Sequence, residues 1–180
     1  MSIAKSPLGQ LGPIRQTGFV VRDLDQALES WLALGVGPWY VIRGQQLHTL
    51  YRGKPCEVTL SIAFANSGDM QFEVIAQDSG DLSIYTEFLA SGREGFNQFA
   101  YWAVDFDDAV QSVKDAGWSV VWSGGEGEGV RYVYLETADG PAPIIEISEL
   151  NDATTGLGEF VRAAADGWDG TDPIRSLLGG

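Results

Sequence analysis

One cysteine, one histidine and 11 basic residues are all that this 180-residue chain carries of those types. Cys56 has no partner for an internal disulfide, which fits a reducing compartment and an expected cytoplasmic location. With His48 as the sole imidazole, neither an H-E-x-x-H helix nor any other multi-histidine centre can be built. The bases face 25 acids, a formal net charge of -14. Nucleic acid and anionic membrane surfaces are therefore poor partners, because both are recognised by basic patches that neutralise phosphate. No apolar run approaches the ~18 residues of a membrane span. The opening "MSIAKSPLGQLGP" holds no apolar signal core, so export is not expected and residues 1–13 read as a loose arm. There is no G-x-S-x-G elbow, which leaves serine hydrolysis without support. The glycine-rich "GGEGEG" at 124–129 lacks a lysine and a following helix, so it reads as a hairpin loop and not a phosphate cradle.

What remains is an ordinary globular composition, 44% apolar and 20% charged, long enough to bury a good core. "QTGFVV" (16–21) has strand composition. In the following "RDLDQALESWLALG", Asp23 or Asp25 is placed to cap a helix. Leu24, Leu28, Trp31 and Leu32 fall on one stripe of it, and Gly35 or Gly37 ends it. "PWYVIRG", "EVTLSIAFAN" and "MQFEVIAQ" read as three more strands. Residues 82–91 predict a bridging helix. The order then recurs, with a strand in "QFAYWAV", a helix in "FDDAVQSVKDAG" and strands in "SVVWS", "VRYVYLETA" and "PIIEISEL". Gln16 aligns with Gln98, Asp23 with Asp105, Asp25 with Asp107, and Glu73 of "FEVI" with Glu146 of "IEIS". The reading is a duplicated βαβββ module, residues 14–80 and 96–150, joined by a helical linker at 81–95. Residues 151–180 complete the chain with a helix in "GLGEFVRAAA" and a turn-rich tail.

The doubled pattern, together with "GFVVRDLDQALESWLALGVGPWYV", resembles the glyoxalase-like branch of the vicinal oxygen chelate superfamily. That superfamily includes glyoxalases, methylmalonyl-CoA epimerases, extradiol dioxygenases and bleomycin-resistance proteins. The resemblance spans roughly residues 14 to 150. It implies an α+β fold in which two modules form a U-shaped mixed sheet, a cup with helices outside, and it implies a homodimer. It also implies a site of four side chains, one from the first and one from the fourth strand of each module. Carried over, these are Gln16, Glu73, Gln98 and Glu146, holding one divalent metal. The family commonly has histidine where Gln16 and Gln98 stand. A two-amide, two-carboxylate set is all oxygen and suits Mg²⁺ or Mn²⁺ better than zinc or iron, with Mg²⁺, Mn²⁺, Ni²⁺ and Zn²⁺ as the candidate ions. It disfavours iron-dependent dioxygenation, which wants two histidines and a carboxylate. A metal-free site is the alternative.

Strand alternation puts Gln71, Glu73 and Ile75 on one face, and Phe72, Val74 and Ala76 on the other. Ile144, Glu146 and Ser148 likewise oppose Ile145 and Ile147. If the more apolar faces pack against helices, both glutamates look into the cup; if not, both are solvated. Inside a cup they would serve as a general acid and a general base, with the glutamines as metal ligands or amide donors. Trp39 and Trp102 are candidates to line the ligand cavity, although core packing explains tryptophan equally well. His48 reads as a surface residue. The expected function is a proton-transfer isomerase, epimerase or lyase acting on a small carbonyl compound. The alternative is a non-catalytic binding protein that sequesters a small molecule.

Overall fold

The computed structural model describes residues 9, 11–127, 129–137 and 144–178. Most of the expected N-terminal arm lies outside the described residues, as do Glu128 and residues 138–143.

Local sequence sets each element. Strand β1 (Gln16–Val20) leads into helix α1 (Leu24–Ala33), where the Asp23 side chain accepts from the Gln26 N–H at 3.0 Å. That satisfies one of the free donors of the first turn. Leu24 and Leu28 are the buried stripe, and the helix ends at Leu34 before Gly35 in the left-handed region at φ 80°. Strands β2 (Trp39–Tyr51), β3 (Lys54–Ser67) and β4 (Met70–Gly80) form a meander. Helix α2 (Ile84–Ala90) opens with a reciprocal capping box between Ser83 and Thr86. Then come β5 (Gly95–Ala103), α3 (Phe106–Asp115), β6 (Trp118–Gly124), β7 (Tyr132–Thr137) and β8 (Ile144–Glu149). Helix α4 (Asp152–Ala165) starts a turn earlier than its apolar stripe predicts. Asn151 caps it, accepting from the Ala153 and Thr154 N–H groups. The tail, expected to hold only turns, adds strand β9 (Ile174–Ser176) parallel to β2.

The strands form one mixed sheet in the order β3-β4-β1-β5-β8-β7-β6-β2-β9, and β2 also pairs with β3. β1 runs parallel to β4 and antiparallel to β5, and β5 runs parallel to β8. The mixed sheet forms the expected cup, and it closes further than a U. β2 is long enough to serve two neighbours, and its end pairs with β6 at Leu50–Ser123 and Tyr51–Trp122. Eight strands thus close into a barrel-like cup.

The helices divide between its outside and its ends. α1 covers the outer face of β3 and β4 through Leu28, Trp39, Ala63, Ala65 and Val74. α3 does the same for the second half with Phe106, Val113, Leu135 and Ile147. The other two are not outside. α2 plugs one end, packing Ile84, Tyr85 and Phe88 against Val58, Leu60 and Ile75. α4 lies across the other, packing Val161 and Leu157 against Tyr40, Ile62 and Phe64. Among the described residues no helix is long and apolar enough to cross a membrane.

Candidate active site

Four adjacent strands, β4-β1-β5-β8, turn their polar side chains into the cup. Gln71 and Glu73 occupy successive inward positions of β4, with Ile75 beyond them, while Phe72, Val74 and Ala76 pack toward α1. Glu146 and Ser148 point inward from β8, and Ile147 packs toward α3. Both glutamates are buried. The inward setting of the acids follows from the helices taking the more apolar face of each strand.

Gln98 joins them. It stands opposite Gly18 of β1, and a Cβ on Gly18 would lie 2.0 Å from the Gln98 Nε2. Only a glycine there lets the side chain cross β1. Its Nε2 donates to Tyr134 Oη at 3.1 Å and lies 3.4 Å from Glu73 Oε2 and 3.5 Å from Glu146 Oε2. One amide nitrogen is thus flanked by two carboxyl groups. Ser148 Oγ donates to Glu146 Oε1 at 2.7 Å, and the hydroxyls of Tyr85 and Tyr134 meet at 3.3 Å. Gln16 turns aside, its Nε2 donating to Gln71 Oε1 at 2.8 Å.

Burial raises both carboxyl groups above the ordinary glutamate range, and unequally. Glu73 is pushed well up by desolvation and then by the charge of Glu146. Glu146 is pushed up by desolvation, but hydrogen bonds from Ser148, Gln98 and Tyr134 pull it back. The hydroxyl of Ser148, which donates to Glu146 and not to Glu73, favours the charge of a singly ionised pair on Glu146 and its proton on Glu73. Tyr85 and Tyr134 are raised too, chiefly by desolvation, and stay neutral.

Gln16, Gln71, Glu73, Tyr85, Tyr134, Glu146 and Ser148 line a cavity of about 380 Å³. Its apolar wall includes Leu60, Ile62, Phe64, Ile75 and Trp102, and Ala153, Thr154 and Leu157 of α4 cover it.

A family model of the Glyoxalase/Bleomycin resistance protein/Dioxygenase superfamily matches residues 15–134. The chain belongs to this superfamily. Solved structures that it resembles include a hypothetical protein from Bacillus halodurans C-125, at 17% identity and TM-score 0.56, covering 78% of this chain and 95% of that one. Methylmalonyl-CoA epimerase from Mycobacterium tuberculosis aligns at 19% identity and TM-score 0.56, covering 86% and 97%. A variant of the Streptomyces coelicolor epimerase in complex with 2-nitronate-propionyl-CoA aligns at 21% identity and TM-score 0.54, covering 77% and 94%. At these identities the likeness shows the shared fold of the superfamily. No curated protein matches the sequence.

Of the residues singled out in the sequence, Glu73, Gln98 and Glu146 come together, and Gln16 lies beside them on the cavity wall. Gln98 is fully buried, its amide nitrogen between the two carboxyl groups. Trp102 lines the cavity, lodged against Gly158 of α4, where a Cβ would lie 2.7 Å from the indole. Trp39 does not line it. It sits on the outer face of β2, fully buried against α1, with its Nε1 donating to the Val36 carbonyl at 2.9 Å. His48 is at the rim, mostly exposed, 3.3 Å from the equally exposed Glu57.

The metal set fares differently. The position between the two carboxyl groups is filled by the nitrogen end of Gln98, a donor, and the Gln16 amide nitrogen is engaged by Gln71. Among the described residues no three His, Cys, Asp or Glu side chains converge. Two carboxylates with two amides so disposed do not fit the four-ligand divalent centre that the resemblance implies. Sequence reasoning did not nominate Gln71, Tyr85, Tyr134 or Ser148. Gln71 and Ser148 carried a signal, since each shares a strand face with a glutamate.

Proposed function

We propose that the chain is a proton-transfer enzyme of the isomerase, epimerase or lyase kind, acting on a small carbonyl compound. The observation that carries this is a buried pair of glutamates, held on either side of one amide in a covered cavity, with unequal affinity for their protons. Glu146 is the base. It takes a proton from the carbon next to the carbonyl, and a lone pair of its carboxylate becomes the new O–H bond. Glu73 is the acid. Its O–H faces the carbonyl oxygen as the C–H electrons move into an enol, and it gives up its proton there. Delivery of a proton to the opposite face of that carbon completes an epimerisation, and delivery to a neighbouring carbon an isomerisation, while Glu73 takes back the enol O–H proton as the carbonyl re-forms. The epimerases of similar fold support the reaction type. The same reading takes residues 14–80 and 96–150 as duplicated modules, whose symmetry brings two fourth-strand acids to one axis.

The test is exchange of α-hydrogen for deuterium in small ketones and thioesters, followed by NMR. Glu146→Gln is expected to lower the exchange rate by roughly a hundredfold or more with the fold intact. An unchanged rate overturns the assignment. A sequestering protein is the second reading, favoured by the cover that α4 lays over an aromatic-lined cavity. Tight binding of such compounds without any exchange supports it.

A further inference from the structure

Beside the acid pair lies a group that proton transfer does not use. Gln71 is almost fully buried on the cavity wall, one inward position before Glu73 on β4. Its carbonyl oxygen accepts from Gln16, but its Nε2 has no hydrogen-bond partner. A buried amide N–H without a partner is costly, and a native structure tolerates one chiefly where something else fills the role. Two residues apart on one strand face, the Gln71 amide and the Glu73 carboxyl are neighbours, about 6.6 Å apart at the backbone.

The rest of the cavity narrows the ligand. No lysine or arginine is among the described residues that line it. Its acids are Glu73 and Glu146, and its one histidine lies at the exposed rim against Glu57. An anion entering this space would meet a carboxylate with no counter-charge inside a low-dielectric wall. A carbonyl oxygen would instead find two donors, the protonated Glu73 and, after a small turn of its side chain toward the cavity, the Gln71 amide.

We propose that the cavity takes uncharged carbonyl compounds, ketones or amides with a compact apolar body, and that the Gln71 side-chain amide binds their carbonyl oxygen. This rests on the proton-transfer reading of the same site and names its substrate class. Gln71 fixes the oxygen next to Glu73, so the α-carbon is presented to Glu146. Leu60, Ile62, Phe64 and Trp102 receive the apolar body.

The experiment is calorimetric titration of the full chain at about pH 6.5 with four probes of similar shape: benzylacetone, hydrocinnamamide, hydrocinnamate and propylbenzene. Hydrocinnamate is ionised there. The ketone and the amide are expected to bind, with hydrocinnamate at least about tenfold weaker. Gln71→Leu is expected to weaken the ketone and amide by roughly three- to tenfold, the worth of one neutral hydrogen bond, and to leave propylbenzene unchanged. Hydrocinnamate binding as well as the amide, no binding of ketone or amide, or ketone affinity unchanged in Gln71→Leu each overturns the proposal. If Gln71→Leu fails to fold, Gln71→Met replaces it, and the charge preference of the unmodified protein stands as an independent reading. Probes that bind as expected but exchange no α-hydrogen overturn the proton-transfer reading and leave this recognition intact.

Discussion

Gly18 shows how one missing side chain organises the candidate site. The Gln98 amide passes through the space a Cβ would occupy, reaching Glu73 on the far side of β1. Gly18→Ala should therefore push Gln98 aside and cost about 1–3 kcal/mol by overpacking, read as a lower unfolding temperature, with a parallel fall in α-hydrogen exchange. A variant as stable and as active as the parent would mean that Gln98 can occupy another position without loss. Glu73 makes a second prediction at this scale. Its folded carboxyl is raised above the ordinary value of about 4.3, so between that pH and its folded pKa the native chain holds a proton that the unfolded chain releases. Stability from this group is complete below about pH 4.3 and is lost as pH rises through the folded pKa. Glu73→Gln should gain on the parent protein as pH rises across that window, measured as unfolding temperature against pH. A difference that does not vary with pH would place Glu73 in an ordinary solvated state. The two glutamates were legible in the sequence because "FEVI" and "IEIS" alternate with period two and repeat one another. The vacancy at Gly18 was not, because it depends on which residue of β5 lands opposite, and register across strands far apart in the chain leaves no local mark.

At the scale of elements, helix α4 decides whether the cup is open or covered. Its position rests on Asn151, which satisfies two N–H groups of the first turn, and on Val161 and Leu157 seated in the mouth of the cup. Asn151→Ala should cost about 1 kcal/mol and loosen the first turn, where Ala153 and Thr154 cover the cavity. The expected result is faster dissociation of a bound ketone in stopped-flow, with the association rate little changed. Unchanged dissociation would locate the exit away from this turn. The apolar stripe of "GLGEFVRAAA" made the helix itself legible, but its cap falls five residues earlier, outside that stripe. The position of α4 across the mouth was also out of reach, because a stripe says that one face is buried and not against what. The same limit explains Trp39: composition marks it as buried, while only its position on the outer face of β2, against α1, separates core from cavity wall.

For the whole molecule, ring closure is the feature the sequence did not carry. Duplication predicts two equivalent halves, and the strands β4-β1-β5-β8 meet along their middle as that expectation requires. The second meeting, β2 with β6, depends on β2 continuing through "GQQLHTLY", a polar stretch with little strand signature. It is short: two strand pairs, the Arg52 N–H donating to the Val121 carbonyl at 2.9 Å, and exposed ion pairs from Arg52 to Glu87 and Glu136. β1 and β5, by contrast, pair along five positions in the middle of the sheet. Local opening follows the least-paired segment. Hydrogen exchange should accordingly be fastest, among the strand junctions of the ring, at residues 50–52 and 121–123, and slowest at β1 and β5. Because Gln45, Gln46, Leu47 and His48 of the same β2 line the cavity, a bound ketone should slow exchange at this seam more than at β1. Equal protection at both junctions, with or without ligand, would make the ring a uniformly closed barrel and leave α4 as the remaining route by which a small molecule reaches Glu73 and Glu146.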